Sequence, residues 1–399
     1  MAIARQRIHL PPRAWRRALA AWRGGRLWEG EATARFEAAF AAAVGVEHAV
    51  AIPSGRAGLL FLLEALELEP GSEVICCAFG YPVVPYLVRE RGFDLRLVDC
   101  EPRTLGMDPA ALAEALSDRT KAVIATHLYG VPCRIRELSE LCEARGVTLI
   151  EDCAHSLGAS VGGRPTGSIG RAGYFSFETS KIVNTMGGGM LTTDDAELAE
   201  RLRKCASSEP PHGTAWLRKR LTKTSFETLV THPWVFNLAV YPALRLASSK
   251  DRFASGYAPD ALTTAGRLGR YSAYQAELGL AQLGDVERRA EARRRNVHRL
   301  RERLRGQVPF QEPDAPDVVP NPMLSAALFE DMPRVARELL ARGIDTKRDY
   351  MRDCSALLDQ PGHFPVAVRA DRQVLHLPAH PELSEQDMDR IAAAVADVL

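Results

Sequence analysis

The sequence predicts an α/β protein with a mainly parallel central sheet flanked by helices, followed by a smaller C-terminal α+β domain. Three observations predict it. Between residue 48 and about residue 194, short apolar runs alternate with amphipathic stretches, the pattern of buried strands joined by helical crossovers. After residue 266 the rhythm changes to a long helix-like stretch, then to mixed strand-like and helix-like segments. The chain has 399 residues, enough for one large core and a smaller second one.

Taken in order, residues 1–29 read as an N-terminal arm. Arg5, Arg7, Arg13, Arg16, Arg17, Arg23 and Arg26 cluster there, interrupted by Pro11, Pro12 and Trp15. No apolar stretch has signal-peptide length, so a solvated arm is expected rather than a targeting segment. Residues 30–265 read as the large domain, with "AVAIP", "EVICC", "LRLVD", "KAVIATH" and "VTLIED" as strands and "AALAEALSD" and "IRELSELCEARG" among the helices. Ligands on such sheets bind beyond the carboxyl ends of the strands. That rule brings Ser54 and Gly55, Phe79 to Tyr81, His127 to Gly130, and Asp152 to His155 to one crevice.

Residues 206–265 break the rhythm with "SSEPPHG", a basic run "WLRKRLTK" and the apolar stretch "FETLVTHPWVFNLAVYPALRLA". Glu227, His232, Pro233, Asn237 and Pro242 make a membrane-spanning helix costly there. A helical insertion packed on the main domain or on a partner subunit is expected, with an interfacial amphipathic role as the alternative. Residues 266–399 read as a linking helix, "YSAYQAELGLAQLGDVERRAEARRRNVHRLRERL", and a small α+β domain. Its last helix starts at Ser384, placed to cap "EQDMDRIAAAVADVL".

Composition excludes several function classes. Lysine and arginine number 51 against 50 acids, so no global field draws nucleic acid. Eight cysteines lack CxxC spacing, which argues against a zinc site and a disulfide scaffold, and no metal is expected. The cytoplasm is the expected location, and membrane association is not expected.

The chemistry rests on two residues. Asp152 ends the apolar run "VTLI" and should project from the carboxyl end of a strand; alone it reads equally as a helix cap. Lys181 lies between the strand-like "YFSF" and three glycines; alone it reads as a solvated lysine. Together they fit a lysine that forms a Schiff base with pyridoxal 5'-phosphate (PLP) and an aspartate that keeps the pyridine nitrogen protonated. The phosphate needs an anion site. "PSGRAG" follows a strand and opens a helix, so Ser54 and Gly55 offer backbone amides and Arg56 a charge. Ser176, five residues before Lys181, is a second hydroxyl candidate. Tyr81 or Phe79 can stack on the ring, and His155 can support the ring hydroxyl or the aspartate; core packing and a plain hydrogen bond are the respective alternatives. The glycines after Lys181 are expected to let backbone pass close to the cofactor.

The segments "PSGRAGL", "GSEVICCAFGYPVV", "LIEDCAHSLGA", "GSIGRAGYFSFETSK", "GGGMLTTDD", "QAELGLAQL" and the closing "LHLPAHPELSEQDM" resemble the DegT/DnrJ/EryC1/StrS aminotransferases, from about residue 30 to the C-terminus. The resemblance implies the fold type I arrangement of PLP-dependent transferases and a homodimer with active sites at the subunit interface. It implies transfer of an amino group from an amino-acid donor, L-glutamate in the usual case, to a keto acceptor, foremost a nucleotide-linked keto-sugar. Keto-cyclitols or other carbonyl metabolites are the alternative acceptors, and a non-catalytic regulatory protein of the same fold is the rival reading. By motif, Lys181 resembles the Schiff-base lysine, Asp152 the pyridinium partner, Ser176 a phosphate ligand and Tyr81 the stacking residue, while His155 holds a Gln-or-His position.

Three departures from the family pattern stand out. "GRLGRYS" puts Leu268 where the family carries the asparagine that reaches the neighbouring subunit's phosphate, and a basic side chain of the insertion or Arg267 is the expected substitute. Gly187 replaces the acid before the paired glycines. The insertion at 206–265 lies where family members build substrate-facing surface, which implies an unusual acceptor.

Overall fold

The computed structural model describes residues 1–8, 10–23, 30–248 and 269–399. Leu268 and Arg267, and with them the question of the cross-subunit contact, lie outside the described residues.

Helices α1 (Pro12–Arg23) and α2 (Ala32–Val44) precede strand β1 (His48–Ile52) and helix α3 (Gly55–Ala65). There follow β2 (Glu73–Cys77), β3 (Phe79–Gly80), α4 (Val83–Glu90), β4 (Asp94–Val98), α5 (Pro109–Ala115), β5 (Thr120–Thr126), α6 (Ile135–Ala144) and β6 (Thr148–Asp152). A small hairpin, β7 (Ser160–Val161) and β8 (Arg164–Pro165), leads to β9 (Ala172–Ser176), β10 (Gly189–Thr193) and α7 (Ala196–Ser208). The seven-stranded sheet runs β1-β10-β9-β6-β5-β2-β4. Strands β4, β2, β5, β6 and β9 are parallel, and β10 is antiparallel to both β9 and β1.

Burial explains the sequence pattern. Every residue of β2 is buried, so the strand reads as one apolar run, whereas edge strand β4 exposes Asp94 and Arg96 and buries Leu95 and Leu97. The expected strands all form. Among the described residues no helix is long and apolar enough to cross a membrane.

The described part of the insertion is helical: α8 (Thr214–Val230), α9 (Pro233–Val235), a π-helical turn at Phe236–Val240 and α10 (Tyr241–Ser248). The linking helix expected as one piece is two, α11 (Ala273–Leu283) and α12 (Val286–Arg303). Ser272 opens α11 with a capping box, and the chain breaks at Gly284 and Asp285, where Asp285 stands at the N-cap of α12. Next come β11 (Val318–Val319), β12 (Ser325–Leu328), α13 (Met332–Ala341), β13 (Arg352–Asp353), α14 (Cys354–Leu357), α15 (Pro365–Gln373), β14 (Val374–Leu377) and α16 (Glu385–Ala396). Ser384 caps α16 as expected, in a capping box with Asp387. A second apolar core, separate from the one under the large sheet, gathers Val297 and Leu300 of α12, Leu339 of α13 and Ile391 of α16 around the antiparallel pair β12–β14.

The N-terminal arm departs from the expected solvated state. Ile3, Ile8, Leu10 and Ala14 are buried, and α1 packs on α11 with Leu10 and Ala14 against Tyr274 and Leu278. Three of the arginines that suggested solvation face acids: Arg5 pairs with Asp345 at 2.7 Å, Arg13 with Asp285 at 2.5 Å and Arg17 with Glu277 at 3.3 Å. The segment is amphipathic, and its charges mark only the outer face.

Candidate active site

A cavity of about 580 Å³ opens at the carboxyl ends of the parallel strands and is lined by Ser54, Gly55, Arg56, Tyr81, Asp152, His155, Ser176 and Lys181. All eight sequence-derived candidates therefore meet. Phe79 is core, and His127 to Gly130 are buried. His127 instead pairs with Glu151 at 3.0 Å, on the opposite face of β6 from Asp152, because side chains alternate along a strand. Glu151 also accepts from the amides of Gly167, Ile169 and Gly170, so this buried pair fixes the loop that leads into β9.

Asp152 is the last residue of β6. Its Oδ1 accepts from the amide of Ala154 at 3.0 Å. Burial pushes its pKa up, and the Ala154 amide, Tyr174 and the charge of Lys181 offset part of that rise. Lys181 lies in the loop between β9 and β10, where its amide donates to the Glu178 carbonyl at 2.9 Å. Its Nζ donates to the hydroxyl of Tyr350 at 3.0 Å.

The same hydroxyl lies 3.2 Å from His155 Nε2, and Tyr129 donates its amide hydrogen to His155 Nδ1 at 3.2 Å. With Nδ1 accepting, the neutral ring carries its proton on Nε2 and donates to Tyr350. Burial, followed by the charges of Lys181 and Lys347, holds the His155 pKa well below the usual imidazole range.

At the sheet's end, Ser54 caps α3 by accepting from the Ala57 amide at 3.1 Å. Gly55 touches Ser176 so closely that a Cβ on the glycine would meet the serine Cβ at 3.2 Å. A helix N-terminus and two hydroxyls thus face one corner of the cavity. Arg56 is exposed at its rim.

The glycines after Lys181 have a packing role beside the expected one, and Gly188 bridges Ser54 at the phosphate corner. Gly188, at φ +102°, leaves room for the Tyr271 ring, whose Cε2 a Cβ would meet at 2.2 Å; a Cβ on Gly189 would meet the Phe175 carbonyl oxygen at the same distance. The strands and Tyr271 leave no room for a side chain at either position. Gly187 lies against the Arg220 guanidinium.

Two further walls complete the cavity, one from the insertion, where the resemblance implied a substrate-facing surface, and one that was not foreseen. Helix α8 and the turn before it present His212, Trp216, Arg220, Lys223 and Glu227 to the cavity, a spacing of three or four residues that marks one helical face. Arg220 pairs with Glu178 at 2.7 Å and lies over the Trp216 ring at 5.3 Å. That periodicity is visible in the sequence once the helix is assigned. Lys347 and Tyr350 come from the loop before β13, far from Lys181 in sequence, and no local pattern announces them.

A model of the DegT/DnrJ/EryC1/StrS aminotransferase family matches residues 13–396. The GDP-perosamine synthase of Caulobacter vibrioides is 38% identical over 174 residues, 44% of this chain and 47% of that relative, so the match spans about half its length. The UDP-N-acetyl-3-dehydro-alpha-D-glucosamine 3-aminotransferase of Acidithiobacillus ferrooxidans is 29% identical over 369 residues, 91% of this chain and 87% of the relative. The solved structure of aminotransferase TlmJ from Streptoalloteichus hindustanus has a TM-score of 0.79 and 27% identity, covering 99% of this chain and 98% of its own. The architecture, a mostly parallel sheet between helices, is that of fold type I transferases. The chain belongs to the DegT/DnrJ/EryC1/StrS aminotransferase family.

Proposed function

We propose that the protein is a PLP-dependent aminotransferase that moves an amino group from an amino acid, L-glutamate, to a nucleotide-linked keto-sugar. The observation that carries this reading is the meeting of Lys181 and buried Asp152 in one cavity whose far corner is a helix N-terminus with two serine hydroxyls.

The residues fit the cofactor. Asp152 is a carboxylate that burial alone leaves poorly solvated, and a protonated ring nitrogen offers it the partner that burial calls for. The contact of Gly55 with Ser176 brings backbone amides and a hydroxyl together as a phosphate cradle requires. When bound, PLP supplies an electron sink for the carbon that loses its proton.

Asp152 then holds a proton on the ring nitrogen. Ser54, Gly55 and Ser176 bind the phosphate, with Arg56 adding charge at the rim. Tyr81, which lines the same cavity, would stack on the ring. The Lys181 amine, once free, takes the proton from the donor's α-carbon and delivers one to the product side. Tyr350, held by His155, keeps that amine in place between transfers.

The acceptor assignment draws on the two relatives, whose names specify nucleotide-linked amino sugars. Residues 30–265 act as the cofactor-binding domain and 266–399 as the linking and small domain, in a cytoplasmic homodimer with active sites at its interface. The exposed Phe226, Leu229, Trp234 and Leu238 on the insertion support a partner surface on this chain. Light scattering should then give twice the 43.8 kDa chain mass.

The primary test is an absorption spectrum of the purified protein with PLP, before and after L-glutamate. A visible band that moves to the near ultraviolet supports the donor half-reaction, and keto-sugar nucleotides should restore it. A visible band that no amino donor alters overturns transamination.

A further inference from the structure

Lys347 reaches the cavity from the small domain. Its backbone is fixed by paired bonds to His376, 3.2 Å from Lys347 N to His376 O and 2.8 Å in return. Its Nζ lies 3.5 Å from the centroid of the Tyr350 ring, whose hydroxyl accepts from Lys181.

The nearby carboxylates are taken: Asp345 pairs with Arg5 at 2.7 Å and Asp349 with Arg348 at 3.4 Å. Among the described residues no carboxylate pairs with the Lys347 ammonium group. What surrounds it is an aromatic face, two cations, Lys181 and Arg5, and two histidines kept neutral by burial, His155 and His376. Burial and the charges of Lys181 and Arg5 pull its pKa down to about 7. A half-buried cation without an anion is costly, and an anion entering the cavity relieves that cost.

The position selects which anion. The phosphate corner at Ser54, Gly55 and Ser176 is built without Lys347. Lys347 instead stands one tyrosine ring away from the Lys181 amine. A donor amino acid carries its carboxylate on the same carbon as the nitrogen exchanged there, so a cation at this distance suits a carboxylate. We propose that Lys347 is the carboxylate-recognising residue of the amino-donor subsite, an inference that rests on the aminotransferase reading.

The test uses the full-length protein with PLP and the variants Lys347→Gln and Lys347→Arg, each checked for native unfolding temperature. L-glutamate is titrated against the cofactor band, and glutarate, which carries carboxylates and no amine, is titrated by calorimetry. Loss of one charge-assisted contact should raise both saturation constants about tenfold or more in Lys347→Gln. PLP affinity and the acceptor half-reaction should stay unchanged.

In the wild type, glutarate should bind more weakly as pH rises from 6.5 to 8.5 and Lys347 loses its proton. Lys347→Arg keeps its charge and should bind glutarate with little change over that range. Unchanged glutarate and glutamate titrations in Lys347→Gln overturn the proposal, as does a defect confined to PLP affinity or to the acceptor. A wild-type spectrum that ignores every donor while glutarate binding still depends on Lys347 leaves an anion site standing and removes the aminotransferase reading.

Discussion

The Lys181 amine is held by one hydroxyl, and that bond makes its neighbourhood testable side chain by side chain. Lys181→Ala should abolish the visible cofactor band and slow the donor half-reaction by roughly 10²- to 10⁴-fold, read by single-turnover absorbance. Tyr350→Phe keeps the ring under Lys347 and removes the hydroxyl shared by Lys181 and His155. It should slow proton transfer about tenfold with PLP affinity unchanged. Gly188→Ala must displace the Tyr271 ring at a positive φ, so thermal unfolding should report destabilisation on the order of 1–3 kcal/mol. An unchanged melting temperature would remove the packing account of that glycine.

Among elements, α3 and α8 define opposite demands on the cavity. Ser54→Ala removes the N-cap of α3 and a hydroxyl from the phosphate corner; it should cost about 1 kcal/mol in urea unfolding and weaken PLP binding in a fluorescence titration. The strands and their functional ends were legible because parallel strands are continuous apolar runs that stop at a polar residue, as "VTLI" stops at Asp152. The lysine loop was legible from its motif. Helix α1 was misjudged because seven arginines mask the burial of Ile8, Leu10 and Ala14. The break between α11 and α12 was missed because both halves keep a helical period, and the break falls at Gly284 and Asp285, whose carboxylate pairs with Arg13 instead of capping α12. Tyr350 and Lys347 were out of reach: the bond from Lys181 to Tyr350 spans 169 residues and leaves no trace in local spacing.

For the whole molecule, the linking helix α12 is tied to the segment after β14 by charge as well as by apolar packing. Glu382, after β14, pairs with Arg289 of α12 at 2.9 Å and with His380 at 3.2 Å. Burial alone would raise its pKa, but the His380 hydrogen bond and the Arg289 charge bring it down to about 2. A carboxylate with a depressed folded-state pKa contributes stability above its ordinary value near 4.5, and that contribution fades as pH falls toward 2. Glu382→Gln should flatten that part of the acid unfolding profile and lower stability at pH 7; an identical profile would show the pair to be idle.

The excursion carrying α8 and α10 leaves and rejoins the fold at one point, where Pro211 bridges Arg270 and the Arg270 amide bonds to the Pro210 carbonyl at 3.0 Å. Its stem lies just ahead of α8 in the chain. Seen as a unit of inheritance, it is a cassette tied down at Leu217, which packs with Tyr274 and Leu278, and at Arg220, which pairs with Glu178: a lineage that kept those contacts could lengthen or trim the rest and alter the wall over the cavity.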